Sequence, residues 1–254
     1  MSSALFSLDG RTALVTGASR GIGRAIAVAL ANAGANVVCH SSRPGGADDT
    51  VDSIRTIGRD AWAVAADLSV PVNANDIAEA AKAHAGSIDI LVNNAGTIRR
   101  SPAVDATLAD WNDVVRTNLD AVFVLAQAIG RDMVARRRGK IINIASLLSF
   151  QGGITVPAYA ASKHAVAGLT KALANEWGAA GVQVNAIAPG YIRTDNTRAL
   201  QENAERAPQI LARIPAGRWG EADDLAGAAV FLASRASDYV NGHLLVVDGG
   251  WMAR

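Results

Sequence analysis

The chain has 254 residues, half of them apolar and 19% charged, with a net charge of +1 and a pI near 8.0. That is enough chain for one sizeable core, and so near-neutral a balance gives no field for nucleic acid or an anionic membrane. The single cysteine, Cys39, excludes an internal disulfide and a thiolate zinc site, and the scattered histidines (His40, His84, His164, His243) offer no paired ligands, so no metal is expected. The first residues, Met1 to Phe6, lack the basic and apolar runs of a secretory signal, and no apolar stretch approaches the ~20 residues that cross a bilayer. These features predict a soluble, cytoplasmic protein whose partners include neither nucleic acid nor a membrane.

In chain order, β-branched runs alternate with alanine-rich helical stretches. Residues 12–16 read as a strand and 21–33 as a helix, then 36–40 as a strand and 48–57 as a helix. Strands at 61–65 and 88–93 flank a helix near 74–85, and a long helix over 108–137 precedes a strand at 140–145. A helix carrying Tyr159-Ala160-Ala161-Ser162-Lys163 runs to about 177, with a strand at 182–187, a helix near 222–233 and a strand at 243–247 after it. Strands apolar on both faces, each followed by a helix, predict an α/β fold: a Rossmann-like, doubly wound parallel sheet of about seven strands with helices on both faces. No linker or repeat interrupts the alternation, so residues 1–254 read as one domain. The segment at about 191–219 is polar, rich in arginine and punctuated by Pro208 and Pro215, which marks it as a candidate lid over a site. The basic run Arg136-Arg137-Arg138-Gly139-Lys140 falls where a helix ends, and cations facing a negative helix terminus account for it.

Between the first strand and helix lies Thr16-Gly17-Ala18-Ser19-Arg20-Gly21-Ile22-Gly23. Glycines let a backbone turn sharply and approach a pyrophosphate, whose charge is favoured at the following helix N-terminus. A tight strand-to-helix turn alone can also demand glycine, but the strand before and the helix after favour dinucleotide binding. An acid at the end of the second strand would accept the 2′-hydroxyl of NAD. This chain reads Cys39-His40-Ser41-Ser42-Arg43 there, without a carboxylate. Arg20 and Arg43 can neutralise a 2′-phosphate, which favours NADP over NAD; the alternative is that both are solvated surface arginines.

Tyr159 and Lys163 stand at i and i+4, on one face of their helix. An ammonium about 4 Å from a phenol favours the phenolate by as much as roughly 4 kcal/mol at an effective dielectric near 20, partly opposed by desolvation. On that basis Tyr159 is expected to titrate closer to neutrality and to serve as an acid/base. Ser146 closes the strand that precedes it, at the edge where open α/β sheets bind ligands, and its hydroxyl can hold a substrate oxygen. Taken singly, Tyr159 and Lys163 are equally a packed phenol and a snorkelling lysine, and Ser146 a helix cap.

Thr16 to Gly23, Asn93-Asn94-Ala95-Gly96, Ser146, Tyr159-x-x-x-Lys163 and Pro189-Gly190 occur in the order and spacing of the short-chain dehydrogenase/reductases, which the chain resembles along essentially its whole length. The resemblance implies hydride transfer with Tyr159 as general acid/base, Ser146 holding the carbonyl or hydroxyl, and Lys163 binding the nicotinamide ribose. It implies a relay water on Asn118. It places Gly17, Ser19, Arg20, Gly21, Ile22, Gly23, Ser42, Arg43, Asp67, Leu68, Asn94, Ala95, Gly96, Pro189, Gly190, Ile192 and Thr194 around an NADP or NAD cofactor, Asp67 at the adenine and Thr194 beside the carboxamide. A homotetramer is usual in the family.

Stretches such as residues 94–100, 148–153, 213–220 and 247–251 look like the branch of that family acting on sugar acids of the gluconate type. A sugar acid needs a cation for its carboxylate and polar groups for its alcohols, and Arg99, Gln151 and Arg213 are the candidates, with Ser146 and Tyr159 at the reacting carbon. Arg100, Arg193, Arg218 and Asn196 stand near the same place. The competing reading is a 3-oxoacyl-thioester reductase, whose carrier partner would want a basic docking surface, as which Arg131 with Arg136 to Arg138 could be misread. A dinucleotide-binding protein without catalysis is the third, which an intact Ser146, Tyr159 and Lys163 argue against.

Overall fold

The short apolar runs form seven parallel strands: β1 (Thr12–Val15), β2 (Asn36–Ser41), β3 (Ala61–Ala65), β4 (Ile90–Asn93), β5 (Gly139–Ile144), β6 (Val182–Pro189) and β7 (Leu244–Val247). They pair in the order β3-β2-β1-β4-β5-β6-β7. The structure, a computed structural model, describes residues 2–254; Met1, which opens the N-terminal stretch considered above, lies outside them.

The helices are α1 (Ser2–Phe6), α2 (Gly21–Asn32), α3 (Asp48–Thr56), α4 (Asn73–Ala85), α5 (Leu108–Val115), α6 (Ala121–Arg136), α7 (Pro157–Trp177), α8 (Asp195–Gln201), α9 (Arg206–Arg213) and α10 (Ala226–Ala233). Successive residues of a strand point to opposite faces, and here both faces are apolar. Ala13, Val15, Val37, Cys39, Ile90 and Val92 pack against Ile26, Leu30, Val51, Ile54 and Leu232 of α2, α3 and α10. Leu14, Val38, Leu91 and Ile141, one residue out of phase, pack against Ile77, Ala81, Leu125, Ile129 and Leu173 of α4, α6 and α7. The strand order reverses between β1 and β4, which opens a crevice at the carboxyl edge of the sheet.

Two stretches differ from the expectation. The long helix expected over 108–137 is broken by a π-helical turn, Arg116–Asp120, between α5 and α6. The extra residue per turn swings the buried Asn118 inward, where its side chain holds both the N–H and the carbonyl of Thr97 (2.8 and 2.9 Å) and donates to Ser162 Oγ (3.3 Å). The segment after Pro189, where the sequence pattern placed no helix, holds α8 and α9, the latter seating Ile210 and Ala207 on Trp219 and Trp251. Its ends meet: Arg193 N–H donates to Gly220 O (2.8 Å) and Gly220 N–H to Tyr191 O (2.9 Å).

The basic run at 136–140 is occupied at the opposite edge of the sheet. Arg136 and Arg138 both reach buried Asp89 Oδ1 (3.2 and 2.8 Å), Arg137 forms the left-handed cap of α6, and Lys140 pairs with Asp238 (2.9 Å). No described helix is long and apolar enough to cross a membrane.

Candidate active site

At the end of β1 the backbone must turn with φ of +63° at Gly17, which glycine tolerates, and run close beneath α2. A Cβ at Gly23 would lie 2.1 Å from Gly17 O and 2.4 Å from Asn94 Nδ2, so the loop closes only around hydrogen there. Asn94, just beyond β4, sews the turn down by donating to the carbonyls of Thr16 and Gly17 (2.9 and 3.1 Å), while Thr16 Oγ1 accepts from the N–H groups of Asn94 and Ala95. His40 completes the cradle. Its Nδ1 accepts from Gly17 N–H (3.2 Å) and its Nε2 faces Ala66 O (3.0 Å), so the neutral ring with the proton on Nε2 fits both. Burial pushes the His40 pKa down and keeps it in that form. As one of four scattered histidines, His40 gave no sequence signal; its position at the end of a buried strand next to a glycine loop is what could have marked it.

The crevice is a cleft of about 890 Å³. Every residue named above for the cofactor lines it: Gly17, Ser19, Arg20, Gly21, Ile22, Gly23, Ser42, Arg43, Asp67, Leu68, Asn94, Ala95, Gly96, Tyr159, Lys163, Pro189, Gly190, Ile192 and Thr194. Asp67 also caps a tight turn by accepting from Ser69 N–H (2.8 Å). At the end of β2 the lining is Ser41, Ser42 and Arg43, with Arg20 opposite. The glycine cradle therefore fits a pyrophosphate, and a hydroxyl with two cations fits a 2′-phosphate better than a bare ribose diol. Arg20 is held by Asp195 of α8 (2.7 Å).

Across the cleft, β5 ends in extended backbone at Ser146, whose Oγ caps the turn Leu147–Ser149 by accepting from Leu148 N–H (3.1 Å). Pro157 opens α7 in its first turn, placing Tyr159 beside Ser146. One turn on, the buried Lys163 donates from Nζ to Ile144 O (2.6 Å) and lies 5.6 Å from the centroid of the Tyr159 ring. Burial pushes the Lys163 pKa down to about 8. For Tyr159 the direction is a correction: burial is the largest influence and raises its pKa, while the Ser146 hydroxyl and the Arg100 guanidinium act downward. The i,i+4 spacing brings Lys163 near the ring, but a desolvated ammonium committed to a carbonyl does not produce the depression expected from distance alone.

The substrate candidates divide. Arg99 lines the cleft, with Nη2 2.7 Å from Asp113 Oδ2 and Nε 3.9 Å from Asp110, so its charge is matched. Gln151 and Arg213 do not line it. Gln151 accepts from Trp251 Nε1 (3.1 Å), and the Arg213 guanidinium sits over the Trp251 ring at 4.1 Å. Both fix Trp251, which with Trp219 packs on the ring of Tyr191 (centroids 4.7 and 5.5 Å away). Asn118 stands behind the cleft, with Thr117 and Thr97 in the wall in front of it. Among the described residues no group of three His, Cys, Asp or Glu gathers to hold a metal ion.

A glycine cradle at the switch point of a parallel sheet, facing a serine, a tyrosine and a buried lysine, defines a nicotinamide-dependent oxidoreductase. Residues 17–252 match the family described as enoyl-(acyl carrier protein) reductase. The chain is 57% identical over 98% of its length, and 97% of the relative's, to a 2-dehydro-3-deoxy-D-gluconate 5-dehydrogenase of Bacillus subtilis. A structure from Agrobacterium tumefaciens with bound NADP superposes with a TM-score of 0.91 at 55% identity, covering 98% of this chain and 99% of that one. A gluconate 5-dehydrogenase from Burkholderia cenocepacia, in complex with NADP and tartrate, reaches a TM-score of 0.96 at 44% identity over 100% of both chains. This chain belongs to the short-chain dehydrogenase/reductases, NAD(P)-dependent oxidoreductases that act on CH–OH groups.

Proposed function

We propose that this enzyme interconverts a secondary alcohol and a ketone on a sugar acid of the gluconate or 2-dehydro-3-deoxygluconate type, with NADP preferred over NAD. The observation that carries it is the convergence of Ser146 and Tyr159 at the floor of a cleft whose cofactor end bears Arg20, Arg43 and Ser42 and no β2 carboxylate. The cofactor, when bound, supplies the hydride acceptor or donor. Ser146 holds the substrate oxygen, and Tyr159 gives a proton to it in reduction or takes one in oxidation. Lys163, anchored on Ile144 O, faces the ribose, and Asn118 positions a relay water behind it. Relatives named as sugar-acid dehydrogenases support the substrate class, and NADP in the solved relatives supports the cofactor.

In this reading residues 1–254 act as one domain, with residues 191–219 as its substrate lid. The exposed Trp111, Leu108 and Phe123 along α5 and α6 support assembly into a homotetramer, which sedimentation measures directly. A lone, buried Cys39 suits the cytoplasm. The carrier-docking alternative is weakened because Arg136 and Arg138 are committed to Asp89. Turnover of ketohexonates and of an acetoacetyl thioester, each with NADPH and NADH, is the test. Reduction of a ketohexonate with NADPH, lost by about 10²–10⁴-fold in Tyr159→Phe, is expected. Turnover of the thioester alone, or full activity in Tyr159→Phe, overturns the proposal.

A further inference from the structure

The two cations offered to a 2′-phosphate are not equivalent. Arg43, after β2, enters no ion pair among the described residues. Arg20, in the glycine loop, is already engaged: its Nε lies 2.7 Å from Asp195 Oδ2. Among the residues after Pro189 that line the cleft, Asp195 is the single carboxylate. It opens α8, and the preceding Thr194 comes so near the glycine loop that a Cβ at Gly21 would lie 3.5 Å from Thr194 Cγ2. The other carboxylate oxygen, Oδ1, accepts from Arg198 Nη2. An acid in the first turn of a helix with an arginine three residues on is ordinary. The reach across to Arg20 is not part of that pattern, and α8 does not need it. Thr197 Oγ1 accepts from Thr194 N–H (3.2 Å) and donates to Ile192 O, and Arg193 is held by Glu221 (3.1 Å). A carboxylate in a cleft that must admit a polyanion opposes its entry.

We infer that Asp195 is a specificity-determining residue for the cofactor, competing with the 2′-phosphate of NADP for Arg20. The assignment rests on the NADP reading above and adds to it a residue of the segment after Pro189. By drawing Arg20 away or by sharing it, the carboxylate takes up positive charge that the phosphate needs. Arg198 eases the exchange, since Asp195 keeps one partner when Arg20 leaves. NAD carries a hydroxyl in place of the phosphate, asks nothing of Arg20 and leaves the pair closed. The start of α8 is therefore tied to the glycine loop with NAD and released from it with NADP. The two side chains are 75% and 44% exposed, so the pair is worth no more than roughly fivefold in an equilibrium.

The test uses the full enzyme as Asp195→Asn, Asp195→Glu, Arg20→Gln and the double variant Arg20→Gln with Asp195→Asn. Isothermal calorimetry gives the Kd of each for NADPH, NADH, adenosine 2′,5′-bisphosphate and ADP. Asp195→Asn is expected to bind NADPH and the bisphosphate about two- to fivefold more tightly, with NADH and ADP moved by less than about twofold. Asp195→Glu, which keeps the charge, should stay near the wild type. Arg20→Gln should weaken NADPH by roughly tenfold or more, and adding Asp195→Asn to it should change nothing further, because the contested cation is gone. Retained NADH binding certifies that each variant is folded. An equal gain for NADPH and NADH, or a gain that persists without Arg20, makes Asp195 a general negative charge in the cleft and overturns the proposal. Unchanged or weaker NADPH binding in Asp195→Asn also overturns it, the weaker case showing a clamp closed over the cofactor. If Arg20→Gln leaves NADPH binding as it was, the reading of Arg20 as a 2′-phosphate ligand falls, and the competition falls with it.

Discussion

The ammonium of Lys163 is 5% exposed with one backbone carbonyl as its partner, and burial pulls its pKa from 10.5 to about 8. The unfolded chain therefore holds that proton more tightly than the folded one. Below pH 8 the buried charge opposes folding, and the penalty is relieved as the pH rises from about 8 to 10.5. The displacement corresponds to about 3 kcal/mol, offset in a Lys163→Met variant by about 1–3 kcal/mol for the orphaned Ile144 carbonyl. Lys163→Met is expected to lose activity yet melt at or above the wild-type temperature at pH 7, and to lose that advantage by pH 10. Thermal unfolding across that range checks it, and a variant uniformly less stable at every pH would contradict the argument. Tyr159, whose pKa burial raises, shows the same physics from the anionic side. Spacing reveals which groups are neighbours, but desolvation, which decides the sign here, depends on what covers them. For the same reason Arg99 and Arg100 are indistinguishable in the sequence: only the fold puts Asp113 and Asp110 beside one and none beside the other.

Helices and strands with a full apolar stripe were legible, because burial on one face or two leaves a periodic trace. The glycine turn was legible as well, since Gly23 has room for hydrogen alone. Two features were not. The π-helical turn at Arg116–Asp120 leaves the apolar pattern of its neighbours almost undisturbed, so the helix looks continuous until Asn118 is seen gripping Thr97. The short α8 and α9 are largely polar, with Pro208 inside the second, and are held by contacts remote in sequence. The return of the segment near Gly220 is fixed locally, by a two-pronged pair between Arg218 and Asp224, which holds the Asp224 carboxyl down at about 2, with the N–H of Glu221 assisting. That pairing contributes above the ordinary carboxylate range near 3.8 and is lost as the pH falls through about 2. Both side chains are partly exposed, so Asp224→Asn should leave the global melting temperature nearly unchanged. It should instead speed tryptic cleavage at Arg206 or Arg213 severalfold, and unchanged cleavage would show that the pair does not restrain the segment.

Across the molecule, the two edges of the sheet divide the labour. The carboxyl edge carries the cleft, and the amino edge is closed by Asp89, 3% exposed, which accepts from Thr12 N–H, Arg136 and Arg138. Burial alone would raise the Asp89 pKa; hydrogen bonds from Arg138 and Thr12 outweigh it and hold the carboxyl below its usual range. Removing the acid leaves two arginines and a strand N–H without their partner. Asp89→Ala is expected to cost about 3–5 kcal/mol in urea unfolding, with activity per folded molecule retained. A loss below 1 kcal/mol would reduce the basic run at 136–140 to an ordinary solvated surface.

The pairing of Tyr191 and Arg193 with Gly220 has a consequence for how such an enzyme changes its diet. Because the segment departs and returns through one short bridge, the part of it beyond α8 is a cassette: it can be lengthened, shortened or exchanged without disturbing the sheet or Tyr159, whereas Thr194 and Asp195, at its start, meet Gly21 and Arg20 of the glycine loop. Two of its arginines, Arg206 and Arg213, lie within that cassette, whereas Arg100 belongs to the frame. A graft of residues 202–218 from a relative with another appetite would therefore exchange the seat of α9 on Trp219 and Trp251 and leave the cofactor side of the cleft as it is.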